Sequence, residues 1–313
     1  MKKEKVIVIC GPTASGKTKL SIEVAKKLNG EIVSADSMQI YQDMTIGTAK
    51  PTSEEMQGIK HYLIDCVSPD TRYNVAEYKK EAIAAIEEII KKGKTPIVVG
   101  GTGLYVNSLI YGIDYPEIET DIKYRQMLEE IAEKEGLEKL YEKAEEIDPE
   151  AVKSISVNDK KRICRILEIY HTTGKTKTEQ EAISRENGPK YDYLVFGIKM
   201  DREKLYHRIN KRVDIMLEDG LIEEVKQVLA KYKEFPTAMQ GLGYKEVVEY
   251  LNGITTKEEM IEKIKMETRR YAKRQLTWFR RYENMIWIDG LDDIQNNINI
   301  IVEEYCGEEN TKK

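Results

Sequence analysis

The run Gly11-Pro12-Thr13-Ala14-Ser15-Gly16-Lys17-Thr18 constrains this chain more than any other stretch. The apolar segment Val6-Ile7-Val8-Ile9-Cys10 precedes it and reads as a buried parallel strand. Residues 19–28 follow and read as a helix. Strand, glycine-rich turn and helix, with Lys-Thr at the join, is the context a phosphate-binding loop requires. Glycine lets the main chain turn tightly and approach an anion with no side chain in the way. The loop amides and the helix N-terminus then face a phosphate. Lys17 would reach its oxygens, and the Thr18 hydroxyl suits Mg²⁺. The loop implies a polyphosphate ligand without saying whose phosphates.

Residues 31–36 read as a second strand with Asp36 at its carboxyl end. Ligands of open parallel sheets bind beyond the carboxyl ends of the strands, which brings Asp36 near the phosphate loop. The alternative is an Asp that merely caps the next turn. Residues 37–51 form a long loop with Gly47 and Pro51 as breakers, and such loops are more often functional than connective. Residues 61–66 read as a third strand, whose end Tyr62-Leu63-Ile64-Asp65 weakly resembles the magnesium strand of nucleotidases. Asn74 is placed to cap a helix over 75–92, with Val75, Tyr78, Ala82, Ala85, Ile86, Ile89 and Ile90 on its apolar face. A fourth strand over 96–101 runs into Gly100-Gly101-Thr102-Gly103 and a helix through Ile110. Thr102 there can face the site, cap the helix, or both. This βαβαβαβ progression predicts a doubly wound parallel sheet.

The pattern then changes. From about 121 to 187 only helices are expected, over 121–135, 137–147, 159–170 and near 178–184, before strand residues resume at 193–198. A helical block between two strands of one sheet reads as an insertion. The expected organisation is a core over 1–116, an inserted helical subdomain over 117–190, and the rest of the core over 191–313 with a helical C-terminal part. Asp201 is placed to cap a helix to Glu218, striped by Leu205, Ile209, Val213 and Met216. Residues 221–232 form another helix, and Met285 to Asp289 a last strand.

Charge adds a partner. The net charge is −5, yet residues 263–281 carry eight basic residues against Glu267, a net of +7 that leaves −12 for the remainder. An acidic protein with one concentrated basic helix suits a polyanionic partner there. Ile264, Thr268, Tyr271, Gln275 and Trp278 form the helix's expected inward stripe, and Arg270, Arg274 and Arg281 line one flank. Arginines beside Tyr271, Trp278 and Phe279 suit phosphate pairing with base stacking. The four cysteines and three histidines are scattered, which speaks against disulfides or a His-based metal site. No apolar run approaches a membrane span, and no signal peptide fits before the first strand, so a cytoplasmic protein, monomeric by default, is expected.

Three stretches together resemble the tRNA dimethylallyltransferase (tRNA isopentenyltransferase) family: Gly11 to Thr18; Ser34-Ala35-Asp36-Ser37-Met38-Gln39-Ile40-Tyr41 with Ile46-Gly47-Thr48-Ala49-Lys50-Pro51; and Gly100-Gly101-Thr102-Gly103-Leu104-Tyr105. Residues 238–246 and 268–280 are similar to the family's later motifs, so the resemblance spans nearly the whole chain. It implies transfer of a dimethylallyl group from dimethylallyl diphosphate to N6 of the adenosine 3′-adjacent to the anticodon. The phosphate loop would then hold a prenyl diphosphate, consistent with the lack of a nucleotide-hydrolysis apparatus. The resemblance further implies diphosphate binding by Gly11 to Thr18 and Arg125, with Mg²⁺ at Thr18. Asp36 would be the general base, and Thr102 would lie by the reacting centre. Contacts to the anticodon stem-loop would come from Asp36, Ser37, Met38, Gln39 and Thr102, with Gln39 offering its amide to a base edge. In the inserted subdomain Lys161-Arg162-Ile163-Cys164-Arg165 matches a tRNA-contacting helix, although many members carry Gln where Lys161 stands here. Arg270, Arg274 and Arg281 would hold the RNA backbone. A P-loop small-molecule kinase, a prenyltransferase of free adenine nucleotides and a non-catalytic RNA-binding protein are the rivals. The first two leave the basic helix without a role, and intact Lys17, Thr18 and Asp36 argue against the third.

Overall fold

A computed structural model describes residues 3–115, 121–186 and 188–307. It divides into two compact units, Met1–Ile110 with Lys190–Lys313, and Tyr111–Pro189. The boundary expected between 116 and 117 lies outside the described residues.

In chain order the first unit opens with β1 (Lys5–Cys10), α1 (Lys17–Lys27), β2 (Gly30–Ser34), α2 (Ser53–Met56), β3 (His61–Tyr62), α3 (Val75–Lys91), β4 (Thr95–Gly100) and α4 (Gly103–Ile110). The second unit holds α5 (Ile122–Lys134), α6 (Leu137–Ile147), α7 (Pro149–Val152), α8 (Lys160–Thr173) and α9 (Lys177–Glu186). The chain returns to the first unit with β5 (Asp192–Lys199), α10 (Arg202–Glu218), α11 (Leu221–Lys231), α12 (Tyr244–Leu251), α13 (Lys257–Phe279), β6 (Ile286–Asp289) and α14 (Ile294–Cys306).

The strands form one parallel sheet in the order β3-β2-β4-β1-β5-β6. Strand side chains alternate between faces, and β1 shows why both faces carry helices. Val6, Val8 and Cys10 enter a core with residues of α3, α4, α11 and α13, whereas Ile7 and Ile9 enter a second core with α1 and α14. A strand buried on both sides must be apolar throughout, which is the continuous run the chain carries. Register then places the site. Cys10 pairs opposite Gly100 and Ser34 opposite Val99, so β1, β2 and β4 end at one edge, where the phosphate loop, Asp36 and Thr102 begin.

The third strand stops after Tyr62. Leu63 and Asp65 both adopt left-handed φ, +59° and +54°, which no extended strand tolerates. The chain turns there and hydrogen-bonds to the second strand's following loop through Asp65 N to Gln39 O and Cys66 N to Ile40 O. The Asp65 carboxylate is engaged by the Lys50 ammonium, so the nucleotidase-like reading of this segment falls.

In the helical unit α5, α6 and α8 enclose Leu128, Leu140, Ala144, Ile163, Ile166 and Leu167. The structure extends α8 to Thr173 and adds the short α7, which Asp148 caps by accepting from Ala151 N.

Helix α13 is built for charge segregation. Thr256 and Glu259 form a reciprocal capping box, and Glu258 and Glu259 fill the first turn. Acids in the first turn complement the helix dipole, whereas the last turn carries no basic residue.

Candidate active site and its basic wall

A cavity of about 410 Å³ opens at the carboxyl edge of the sheet, within the first unit. Its lining includes Thr13, Lys17 and Thr18 of the phosphate loop, then Asp36, Ser37, Met38 and Gln39, and the loop residues Gly47, Thr48 and Ala49. Val213, Met216, Leu242 and Ile264 supply an apolar portion, and Arg212, Tyr271, Arg274 and Gln275 a polar one.

The phosphate loop takes the shape its glycines permit. Gly16 caps α1 with φ +93°, a conformation open to glycine, and Ala14 is held at φ +62°. Alternation of left-handed with ordinary residues turns successive N–H groups to one side and creates a concavity for an anion. The first amides of α1 have no partner within the helix and face the same way. Lys17 donates from Nζ to Pro12 O at 2.7 Å, folded along the loop it serves. Its pKa is lowered from 10.5 to about 8, first by loss of solvent and then by the nearby Arg212 cation, with Asp36 opposing.

Arg212 was not singled out in the sequence. It lines the cavity from α10 and makes no ion pair among the described residues. The signal was available: Arg212 lies beside Val213 and three residues after Ile209, on the edge of the buried stripe. A partly buried, unpaired guanidinium beside Lys17 supplies a second cation for an oxyanion.

Asp36 accepts from Met38 N at 2.9 Å and Gln39 N at 3.2 Å, both on Oδ1. The carboxylate is therefore both a cap of the following turn and the one acid in the cavity lining. Thr102 accepts from Ser37 N at 3.0 Å and lies 3.2 Å from Ser37 Oγ. Its hydroxyl braces the Asp36–Ser37 turn. The first amides of α4 instead reach the Thr102 main-chain carbonyl, so the side chain is no helix cap. Gln39 already uses one end of the amide it was expected to offer to a base. Its Nε2 donates to Thr48 O at 3.2 Å and Ala49 O at 3.1 Å, leaving Oε1 as the group it can offer to a base.

Helix α13 is the wall opposite the strand ends. Gln275, 6% exposed, accepts from Thr13 N at 2.9 Å and donates to Gly101 O at 2.9 Å, tying the phosphate loop to the end of β4. A Cβ on Gly101 would lie 2.2 Å from Gln275 Nε2, and one on Gly103 would lie 2.4 Å from Trp278 Cδ1. The second glycine-rich stretch thus serves the close approach of α13. Tyr271 lines the cavity, and burial plus the Asp36 charge raise its pKa to about 12, so it stays a neutral donor.

The expected arginine flank is exposed, with differences in detail. Arg274 lies 5.7 Å from the Tyr271 ring and Arg281 5.6 Å from the Trp278 ring, within reach for cation–π contact. Arg270 pairs with Glu267 at 2.5 Å, Lys265 with Asp214 at 2.7 Å, and Lys263 with Glu249. Acids from other elements therefore offset part of the +7 segment. Lys273, Arg274, Arg280 and Arg281 make no ion pair among the described residues. Phe279 is fully buried in the core and cannot stack on a base.

In the helical unit Ile163 and Cys164 are buried in the core, so their side chains are not an RNA surface. Lys161, Arg162 and Arg165 are exposed, with Arg162 3.4 Å from Asp159 and Arg165 3.6 Å from Glu168. Arg125 donates from Nε to Glu168 at 2.8 Å. No group of three or more His, Cys, Asp or Glu side chains suited to a metal occurs among the described residues, and no helix among them is long and apolar enough to cross a membrane.

The IPP transferase family model matches residues 39–282. The tRNA dimethylallyltransferase of Acetivibrio thermocellus is 54% identical over 91% of this chain and 92% of its own. That of Alkaliphilus oremlandii is 48% identical over 99% of both. Among solved structures, tRNA delta(2)-isopentenylpyrophosphate transferase from Staphylococcus epidermidis superposes with a TM-score of 0.71 at 45% identity, covering 96% of this chain and 99% of that one. A eukaryotic dimethylallyltransferase captured acting on tRNA superposes with a TM-score of 0.81 at 33% identity, covering 97% and 80%. With relatives this similar along nearly its whole length, and a cavity joining a phosphate loop to a basic aromatic wall, the chain belongs to the tRNA dimethylallyltransferase family, enzymes that transfer a prenyl group.

Proposed function

We propose that this protein transfers the dimethylallyl group of dimethylallyl diphosphate to N6 of the adenosine immediately 3′ of the anticodon. The observation that carries the proposal is the composition of the cavity at the strand ends. A phosphate loop, a single carboxylate, an apolar portion and an exposed arginine beside an aromatic ring meet there. A diphosphate, a five-carbon chain, a nucleophile's proton and an RNA backbone each find a matching surface.

In the reaction N6 attacks C1 of the dimethylallyl group, the C1–O bond breaks, and diphosphate leaves with the bonding electron pair. The loop amides, Lys17 and Arg212 stabilise the charge that develops on the leaving oxygens. The apolar portion holds the prenyl chain and excludes water that would compete with the amine. The N6 proton passes to the Asp36 carboxylate as the C–N bond forms, and the Met38 and Gln39 amides keep that carboxylate oriented. The resemblance adds Arg125 at the diphosphate. A purine in a stacked anticodon loop must leave its stack to enter, and Tyr271 offers a ring beside Arg274 to meet it.

The donor set suits Mg²⁺ of a particular kind. Thr18 lines the cavity, and no group of three or more His, Cys, Asp or Glu side chains suited to a metal accompanies it among the described residues, so the ion would depend on the diphosphate for much of its binding. Thr18 would hold it, and when bound it would neutralise charge on the leaving diphosphate.

The test is direct. Wild type and Asp36→Ala are incubated with Mg²⁺, radiolabelled dimethylallyl diphosphate and either unmodified tRNA or AMP. Label is expected in tRNA and not in AMP, with the variant slowed roughly 10²- to 10⁴-fold. Label in AMP would make the protein a nucleotide prenyltransferase. ATP turnover without prenyl transfer would restore the kinase reading.

A further inference from the structure

Glu224 takes no part in the chemistry above, yet it is a buried carboxylate, 9% exposed, without a cationic partner among the described residues. An ionised carboxyl taken from water needs compensation, and here four donors provide it. Its Oε2 accepts from Thr45 N at 2.8 Å and Ile46 N at 2.7 Å; its Oε1 accepts from Gly47 N at 3.1 Å and from the Tyr244 hydroxyl. Three consecutive main-chain amides of an irregular loop thus converge on one side chain of α11. Glycine is required at 47, because a Cβ would lie 2.5 Å from the Tyr244 ring and 2.9 Å from Leu221 Cδ1.

The grip reaches the cavity through the next two residues. Thr48 and Ala49 line it, and their carbonyls accept from Gln39 Nε2, which leaves Gln39 Oε1 as its free polar atom. The phosphate loop is fastened through other contacts, Gln275 to Thr13 N and Lys17 to Pro12 O. The Glu224 grip therefore acts on residues 45–47, while the Gln275 contact acts on the phosphate loop.

We propose that Glu224 is a positioning residue for the acceptor nucleotide: by fixing residues 45–47 it sets the wall and the Gln39 orientation that receive the target base, and it leaves the diphosphate side untouched. The inference rests on the tRNA prenyl-transfer reading above.

Steady-state kinetics on wild type, Glu224→Gln and Tyr244→Phe, varying tRNA and dimethylallyl diphosphate separately, test it. In Glu224→Gln an amide replaces an acceptor that faces N–H groups, and KM for tRNA should rise about tenfold while KM for the diphosphate stays within about twofold. Tyr244→Phe removes one donor and keeps the ring against Gly47, so KM for tRNA should rise about threefold. General destabilisation removes active enzyme and lowers apparent kcat without altering either KM. A fall in kcat alone, or an equal rise in both KM values, would overturn the proposal. Should Glu224→Gln fail to fold, an unchanged tRNA KM in Tyr244→Phe would overturn it as well. A wild-type protein unable to prenylate tRNA would remove the parent reading and this inference with it, a result visible before any variant is assayed.

Discussion

Replacing Gln275 with leucine isolates the contact that joins α13 to the phosphate loop. Leucine nearly matches the side chain in volume, so packing is kept and two hydrogen bonds of 2.9 Å are lost. Gly101 is buried, and its carbonyl is left without its partner, whereas the Thr13 N–H borders the cavity, where water can reach it. An orphaned buried polar group costs about 1–3 kcal/mol, and with partial rescue of the second the sum is about 2–4 kcal/mol. For a cooperative unit of about 230 residues, each kcal/mol lowers Tm by roughly 2 °C, so calorimetry should show a fall of about 4–8 °C. The freed loop should also raise KM for dimethylallyl diphosphate about tenfold, because amides must be organised at the moment of binding. Affinity for tRNA should change little, since the arginine flank does not depend on that amide. A Tm within about 1 °C of wild type, together with an unchanged diphosphate KM, would refute the assignment of Gln275 as the tether.

Lys17 should impose a pH signature: with its pKa near 8 in the free enzyme, kcat/KM for the diphosphate should fall about tenfold per unit above that pH, while kcat, measured with the anion bound, persists higher. The folding term has the opposite sign, because the unfolded chain holds this proton up to 10.5; stability contributed by Lys17 rises between pH 8 and 10.5, and Lys17→Met should abolish both trends. Gly103→Ala should cost about 1–3 kcal/mol and shift tryptophan fluorescence, since the new methyl displaces the Trp278 ring, which is tethered to Asn107 at 3.3 Å. Phe279→Ala should cost about 3–5 kcal/mol without changing the salt dependence of tRNA binding, whereas Arg274→Ala should reduce the slope of log affinity against log salt by about 1. Equal slopes in both variants would place Arg274 away from the RNA backbone.

Much of this site is local in origin, and that part was legible in the amino-acid order. The phosphate loop follows from Gly11, Gly16 and the Lys-Thr pair between an apolar run and a helix, all within eighteen residues. Asp36 and Thr102 could be placed because parallel strands end at a common edge, a rule that needs only strand positions. Where two distant segments had to meet, the order of residues was silent. Arg212 reads as one more cation on a charged helix until α10 is packed, and Gln275 reads as one polar residue in a stripe until its amide is found between Thr13 and Gly101. Ile163 and Cys164 were expected at the RNA because the segment resembles a tRNA-contacting helix, and Phe279 because arginines flank it, but all three side chains are buried. Asp65 lost its suggested metal role when two left-handed residues ended the strand and Lys50 arrived from fifteen residues away. Local geometry is set by the short-range sterics of each residue and its neighbours. Partnership between buried polar groups depends on which surfaces close together, and only the folded chain decides that.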